Sequence, residues 1–389
     1  MRKNSRGTRP LVKLFKFMKL ALIYDRVNKF GGAERILLAL HRLWPDAPLF
    51  TAVYDQTKAP WAKKFDVRPS FLQNFPGAKS NHELYPWLTP LAFENFDLNG
   101  FDVVLSVTSA EAKAVITKPQ TLHLCYCLTP TRYLWSHSKH YLESSLGWGL
   151  KPMLNYLKRF DLVAANRPDA YAAISQTVAK RIKRYYRRTV PVIYPPIDTA
   201  KFARQVKNVS LNNVPVNYHL LVGRLVSYKS LDLAIKAFNR LKLPLVIVGH
   251  GREQAKLIQM SGPTITFFNK VSENDLIYLY QNARALIMPQ EEDFGLAAVE
   301  AQAAGTPILA LNRGGAIETV VNGKTGILFD RPAVDSLTAT VKKSNSRAWD
   351  RKVIKAQAKK FDVKNFNQAF TQWVEEEWLK HQQNLKQKY

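Results

Sequence analysis

An α/β protein with two doubly wound parallel-sheet domains is what the sequence predicts, on three observations. The chain has 389 residues, about twice the length of one ordinary domain. Short apolar runs alternate with helix-patterned segments twice over, first across residues 19–188 and again across 218–310. That alternation belongs to parallel sheets covered on both faces by helices. Between the two series lies Ile193-Tyr194-Pro195-Pro196-Ile197-Asp198, followed by a polar, Asn-rich stretch to Tyr218. Adjacent prolines do not sit inside a sheet or helix, so an interdomain connector is expected there.

Taken in order, Lys19–Tyr24 is a short apolar run that ends in a turn, with Gly31-Gly32-Ala33-Glu34 after it. Ile36, Leu37, Leu40, Leu43 and Trp44 then keep helical spacing until Pro45 stops the helix. Leu49–Tyr54, Val103–Val107 and Thr121–Cys127 read as strands and Gln176–Arg188 as a helix. In the second series Tyr218–Val222, Leu245–Val248, Ala285–Met288 and Pro307–Ala310 read as strands. Ser230–Leu241, Asp275–Asn282 and Gly295–Ala304 read as helices, and Phe366–Gln387 as a long amphipathic helix carrying Trp373 and Trp378. The expected division is a basic tail over 1–17, an N-terminal domain over 18–198, a connector over 199–217 and a C-terminal domain over 218–365. The last helix, 366–389, is expected to pack back on the N-terminal domain. Ligands of such sheets bind beyond the carboxyl ends of the strands, here in a cleft expected between the two domains.

Composition narrows the function classes. With 46% hydrophobic residues the chain is not disordered as a whole. Two cysteines exclude a disulfide scaffold and a Cys-rich zinc module, and fit a reducing compartment. No apolar run approaches the roughly 18 residues of a membrane-spanning helix. A cytoplasmic location is expected, or a peripheral one on the inner face of the cell membrane. Lys+Arg number 57 against 30 Asp+Glu, a net charge of +27. The excess gathers in residues 2–19, with seven basic residues and no acid, and in Lys180–Arg188, where six of nine residues are basic and Tyr185 and Tyr186 interleave. Such surfaces attract polyanions, whether nucleic acid, anionic lipid or a diphosphate. In the tail, Lys13, Lys16 and Lys19 would share one face of a short helix suited to a membrane surface. Equally, Met18 is a candidate start, and losing residues 1–17 removes six positive charges, 27 − 6 = +21.

The most informative stretch is Glu291-Glu292-Asp293-Phe294-Gly295-Leu296-Ala297-Ala298-Val299-Glu300. Glu292 ends a loop and Glu300 lies about one and a half turns into the helix that follows. Gly295 permits close approach, and the amides of Phe294, Gly295 and Leu296 offer donors at a helix start. Carboxylates on either side of amide donors suit a polyol beside a phosphate. By itself the stretch reads first as an acidic turn stabilising a helix dipole, followed by a solvated glutamate. Arg224, at the end of Leu221-Val222-Gly223-Arg224, and Lys229 suit a diphosphate, the first as a fork and the second as a point charge. As a lone pair they are equally two solvated loop charges. Val248-Gly249-His250-Gly251 and Gly31-Gly32 are glycine-bearing strand ends of a kind common in tight turns.

Together and in this order, these elements resemble the retaining glycosyltransferases of family four, also called group 1 glycosyl transferases. The resemblance covers nearly the whole chain from Met18. Glu292 to Glu300 is similar to that family's E-x7-E motif, and Ala301–Gly305, Gly314-Gly315-Ala316 and Glu318-Thr319-Val320 to its continuation. Leu84–Asp97, Ser106–Val115 and Cys125–Trp135 resemble a bacterial subgroup of mannosyltransferases in surface polysaccharide assembly.

The resemblance implies the GT-B fold of two Rossmann-like domains and transfer of a hexose, mannose first, from a nucleotide-diphosphate sugar with retention. It implies that Arg224 and Lys229 hold the GDP- or UDP-linked diphosphate and that Glu300 binds the ribose. Glu292 faces the transferred sugar, with amides of Phe294, Gly295 and Leu296 on its hydroxyls. Gly32 approaches the phosphate, Gly249 belongs to the donor site, and the base lies near Val271 and Leu276. The acceptor is a hydroxyl, on a lipid-linked oligosaccharide or glycolipid, and no specific nucleic acid partner is implied. No Asp-x-Asp is present, so no metal or other cofactor is expected.

One departure from the subgroup is Tyr126-Cys127-Leu128-Thr129-Pro130, where a histidine commonly stands in place of Leu128. Leucine offers no hydrogen bond, so one polar contact to the sugar is missing. His123 is out of register and reads as a strand residue. Cys125 and Cys127 share a strand face and read as buried small hydrophobes rather than metal ligands. Two rival readings are a sugar-nucleotide epimerase, which the E-x7-E context opposes, and a non-enzymatic polyanion binder, which leaves the four charged site residues unexplained.

Overall fold

The computed structural model describes residues 18–81, 84–136, 147–206 and 209–388. The readings made of the tail over 1–17 lie outside the described residues. The chain divides into two units. One takes the chain up to Ala173 together with Arg181–Pro191 and Thr371–Tyr389, and the other takes Ile174–Lys180 and Val192–Phe370.

The first unit is built on six strands: β1 (Leu20–Tyr24), β2 (Leu49–Thr51), β3 (Val67–Pro69), β4 (Val103–Thr108), β5 (Leu122–Cys127) and β6 (Ala170–Ala173). All pair in parallel, in the order β3-β2-β1-β4-β5-β6. Every residue of β1, β4 and β5 is buried. Central strands of a parallel sheet are covered on both faces, which is why these runs are buried throughout, their few polar side chains such as Ser106 and His123 included. The helix Gly32–Leu43 lays Ile36, Leu37 and Leu40 into the interior and stops at Trp44, before Pro45. Phe50 and Phe93 anchor one core layer, with Phe50 edge-on to Phe96 at 5.2 Å.

The second unit repeats the plan with β7 (His219–Val222), β8 (Leu245–Val248), β9 (Ile265–Phe268), β10 (Leu286–Met288), β11 (Ile308–Leu311) and β12 (Gly326–Phe329). Their order is β12-β11-β10-β7-β8-β9, again wholly parallel. Counted within the unit this is the same winding as the first, reversing direction beside its first strand. A doubly wound sheet opens a crevice at that reversal, outside the carboxyl ends of the strands. The core joins Ile247, Ile287 and Leu309 of the sheet to Ile235 and Phe238 of the helix Leu231–Leu241. The two-sheet α/β architecture expected from the alternation is therefore the one found.

Four strands escaped that expectation. β3 is a short, largely exposed edge ending in Pro69, and β6 is Ala-Tyr-Ala-Ala, with little of the β-branched character that marks strands. β9 is only half-buried, and β12 opens on Gly326. The stretch 199–217, expected as a connector, belongs to the second unit. Asp198 caps a helix over Thr199–Ala203, Phe202 packs edge-on against Tyr280 at 5.9 Å, and Ser210 bonds to Asp275 through both its amide and its hydroxyl. Among the described residues of this segment Phe202 is the one buried aromatic, too little apolar pattern to read in advance. The terminal helix runs Val363–Lys388, and its residues from Thr371 group with the first unit.

Each sheet buries a histidine. His123 on β5 faces Ser106 Oγ at 2.8 Å, and His219 on β7 faces Asn345 Oδ1 at 3.1 Å. Burial, with Arg167 and Arg188 nearby, pushes His123 down to about 3, and burial pushes His219 down to about 4. Both are lowered, so the folded units hold them neutral while the unfolded chain takes up protons below its ordinary value of 6.5. Their contribution is complete above that pH and is lost as pH falls toward 4 and then 3. Between pH 6 and 4.5 each histidine should add about 1.4 kcal/mol per pH unit to the slope of its own unit's stability. Denaturant titrations of His123→Gln and His219→Gln should show that slope flatten, and an unchanged slope in either would refute the assignment.

Candidate active site

The loops at the carboxyl edge of the second sheet carry most of the residues singled out above. Arg224 follows β7, Gly249 follows β8, Val271 follows β9, and Glu292 follows β10. Because all strands run in parallel, these loops share one edge, where doubly wound folds hold their ligands. Gly32 stands apart, in the first unit, as the first residue of the helix Gly32–Leu43 after an extended Gly31.

Glu292 is the best-held of the group. Its carboxylate accepts from Lys229 Nζ and, at 2.7 Å, from Gln290 Nε2. The Lys229 and Glu292 side chains are only 15% and 17% exposed. Its carbonyl accepts the amide of Gly315 at 2.7 Å, which pins the loop from the side of β11. Three residues on, Gly295 caps the helix Leu296–Ala304 in a left-handed conformation, φ +90°, with no side-chain cap. A helix start of this form offers free amides to an anion or a hydroxyl. Glu300 sits one turn into that helix, buried, with Oε2 accepting the Tyr280 hydroxyl at 3.0 Å. Phe294 contributes backbone only, since its ring is buried against Tyr194 at 5.7 Å and Phe361 at 5.4 Å.

Arg224 is exposed and donates from Nη2 to the Tyr228 hydroxyl at 2.6 Å. The same ring lies 6.0 Å from the Arg224 guanidinium and 5.6 Å from Lys229 Nζ. Tyr228 therefore stands between the two cations, a position the sequence reading missed. The available signal was its place four residues after Arg224 and one before Lys229 on a short 3-10 turn. Gln290 and Tyr280 were missed for the same reason, since each acts through a carboxylate far off in sequence or beside it. Glu318, read as part of a motif, has a definite task. Its carboxylate accepts from the amides of Gln176 at 2.7 Å and Thr177 at 3.0 Å, capping the helix Gln176–Tyr186.

Gly249 has a steric cause. Its φ is +148°, and a Cβ there would lie 1.8 Å from the carbonyl oxygen of Gly223. The two strand ends beneath Arg224 can pass each other only if that position has no side chain. Val271 is half-buried, immediately before Ser272, which forms a capping box with Asp275 at the start of the helix Glu273–Asn282.

In the first unit, Leu128 is buried, and its amide extends the sheet by donating to Thr108 O at 2.8 Å. Cys125 and Cys127 are buried and outside any disulfide, and burial pushes the Cys125 thiol up to about 12, far from a nucleophile's range. The basic run Lys180–Arg188 is less open than its composition implied. Tyr186 is buried with its hydroxyl on Asp161 at 2.8 Å, Tyr185 stacks on Trp135 at 5.0 Å, and Arg188 donates to Pro168 O at 2.7 Å.

Residues 203–361 match the family model described as glycosyl transferases group 1. That stretch, which holds every candidate of the second unit, is a group 1 glycosyl transferase domain. Over 134 residues the chain is 37% identical to the glycogen synthase of Mycobacterium tuberculosis (strain CDC 1551 / Oshkosh), and the match spans 32% of this chain and 32% of that one. It is 24% identical over 395 residues to the alpha-1,3/1,6-mannosyltransferase ALG2 of Dictyostelium discoideum, covering 85% of this chain and 90% of that relative. Among solved structures, Anabaena Alr3699/HepE in complex with UDP and glucose superposes with a TM-score of 0.70 at 20% identity, over 92% of this chain and 99% of that one. The likeness establishes the fold, which is the GT-B architecture of two Rossmann-like domains.

The glycine contrast at this edge is testable without any ligand. Gly249→Ala should cost about 1–3 kcal/mol, because the added methyl meets backbone that has nowhere to go. Gly223→Ala, with nothing within 4 Å of the new methyl, should stay within about 0.5 kcal/mol of wild type. Urea titration of both variants checks this, and equal stabilities would contradict the close approach.

Proposed function

We propose that this protein is a retaining glycosyltransferase moving a hexose, with mannose the first candidate, from a GDP- or UDP-linked donor to a hydroxyl acceptor, with no metal or other cofactor. The observation that carries the reading is the linked set Arg224–Tyr228–Lys229–Glu292 on the carboxyl edge of a group 1 glycosyl transferase domain. The name of the Dictyostelium relative supports mannose, and the ligands named for the Anabaena structure support a nucleotide-linked hexose.

In this reading Arg224 and Lys229 take the donor diphosphate and Glu300 takes the ribose near Val271. The amides of Phe294, Gly295 and Leu296, with Glu292, hold the sugar hydroxyls. The bond from C1 to the diphosphate oxygen breaks, and the acceptor oxygen bonds C1 on the same face. The acceptor's proton passes to the departing diphosphate oxygen, so no enzyme nucleophile is required. Rate enhancement comes chiefly from the two cations meeting charge as it develops on the leaving group. A lipid-linked oligosaccharide is the acceptor this reading favours, with the protein in the cytoplasm or peripherally on the inner face of the membrane. Among the described residues no helix is long and apolar enough to cross a bilayer.

Thermal-shift measurements with UDP, GDP and ADP and their sugar conjugates, in the absence of metal, test the donor site. A nucleotide present at about 100 times its Kd should add roughly 2.7 kcal/mol of stability, a rise of a few degrees. Arg224→Ala should abolish the shift and lower turnover at least ~100-fold while the unliganded midpoint holds. No shift with any nucleotide would refute the reading. Tyr228→Phe removes the hydroxyl that holds Arg224 but keeps the ring, so it should weaken nucleotide binding less than Arg224→Ala does. A loss as large as that of Arg224→Ala would place Tyr228 on the ligand itself.

A further inference from the structure

Two neighbouring carbonyls in the loop after β10 are each held by a donor from elsewhere in the second unit. Glu292 O accepts the amide of Gly315 at 2.7 Å, and Asp293 O accepts the hydroxyl of Ser175 at 2.6 Å. Ser175 is fully buried and lies in the stretch Ile174–Lys180 that groups with the second unit. Its oxygen also accepts the amide of Val178 at 3.0 Å, which caps the helix Gln176–Tyr186. Glu318 binds the same helix start, accepting the Thr177 hydroxyl at 3.0 Å besides its two amides. A cap needs only an acceptor. The one proton of the Ser175 hydroxyl goes instead to a carbonyl 118 positions away, between Glu292 and the sugar-facing amides.

Peptide geometry gives that bond a consequence. The described residues contain no cis peptide, and in a trans peptide the C=O and N–H point opposite ways. Holding Asp293 O against Ser175 therefore turns the Phe294 N–H to the other side of the loop. That amide donates to no acceptor among the described residues, although Phe294 is only 3% exposed. Backbone donors so far from water are nearly always paired, and one left over marks a place for a ligand.

We propose that Ser175 is a positioning residue for the donor sugar. Through Asp293 O it fixes the peptide plane that aims the Phe294 amide at a sugar hydroxyl. This rests on the proposed function for the identity of that ligand. It also divides the donor in two, since Arg224 and Lys229 act on the diphosphate while Ser175 acts, at one remove, on the sugar alone. Loss of Ser175 therefore leaves the nucleotide's own binding in place and removes what the sugar adds.

Thermal-shift titrations of the full chain, GDP against GDP-mannose and UDP against UDP-glucose, measure that addition as a ratio of affinities. Ser175→Ala should lower the ratio roughly tenfold while the affinity for GDP or UDP holds. Its unliganded midpoint should fall by a few degrees through the lost cap, an effect common to both ligands that leaves the ratio untouched. Ser175→Thr keeps the hydroxyl and should restore the ratio. Ser175→Cys keeps the volume with a weaker donor, should give an intermediate ratio, and carries the test if Ser175→Ala does not fold. A wild-type ratio in the Ala variant, or in the Cys variant where Ala does not fold, overturns the proposal and leaves the transferase standing. So does an equal loss of nucleotide and nucleotide sugar, because Ser175 would then serve the fold alone. A ratio that stays low in a Ser175→Thr protein melting like wild type would trace the loss to shape rather than the hydroxyl, and overturns it too. Absence of any nucleotide shift in wild type is the distinct result that removes the transferase reading, and this assignment with it.

Discussion

The carboxyl edge of the second sheet depends on backbone passing backbone without side chains between. Gly249 stands where a Cβ would lie 1.8 Å from Gly223 O, and Gly315 where one would lie 2.3 Å from Phe294 Cα. These contacts bring the ends of neighbouring strands close enough for direct bonds, Gly223 N to Val248 O at 3.0 Å and Gly315 N to Glu292 O at 2.7 Å. Glycine costs conformational entropy at each position. What it returns is a set of loops that cannot drift apart, so Lys229 and Glu292 meet although 63 positions separate them. Catalysis by charge stabilisation needs groups fixed before the reaction rather than drawn together during it.

The first unit shows the opposite use of buried polarity. Lys113 and Asp161 are 2% and 5% exposed and meet at 2.6 Å. Asp161 also accepts from Thr131 Oγ1, Trp135 Nε1 and Tyr186 at 2.7–2.8 Å, while Lys113 donates to Ala110 O at 2.5 Å. Burial opposes both charges, yet their mutual attraction outweighs it, raising Lys113 and lowering Asp161. A buried pair returns its desolvation cost only when further hydrogen bonds complete it, and here they do. Its effect is positional, tying the turn Thr131–Trp135 to the helices Gly147–Ala165 and Gln176–Tyr186. This network was invisible in the sequence because Lys113, Thr131, Asp161 and Tyr186 lie 18 or more positions apart.

What the sequence could show was periodic or local. Leu20–Tyr24, Leu245–Val248 and the helix around Ile36 and Leu40 follow from apolar spacing, and the Glu292–Glu300 stretch from its own order of residues. What it could not show was which side chains turn toward one another. Tyr228 becomes meaningful only when its ring is seen beside the two cations that flank it in sequence, Gln290 only when it reaches Glu292 two residues on, and Lys229 only when it meets Glu292 from 63 positions away. The run Lys180–Arg188 shows a related limit, since composition counts charges without showing that Arg188 donates to Pro168 O while Lys180, Lys183, Arg184 and Arg187 stay exposed. Val67–Pro69 and Ala170–Ala173 were missed because edge and alanine-rich strands carry little pattern.

The pairing of Lys229 with Glu292 bears on how the proposed reaction would be ordered. Each side chain is largely removed from water, and an unpaired charge in such a place costs several kcal/mol. The pair keeps either from standing alone. A diphosphate that takes over Lys229 must therefore leave Glu292 in want of a new donor, beyond the one Gln290 supplies. A sugar hydroxyl carried by the same diphosphate is such a donor. A nucleotide without the sugar satisfies one half of the exchange and not the other. In the proposed reaction, this exchange would favour the intact donor over the nucleotide alone.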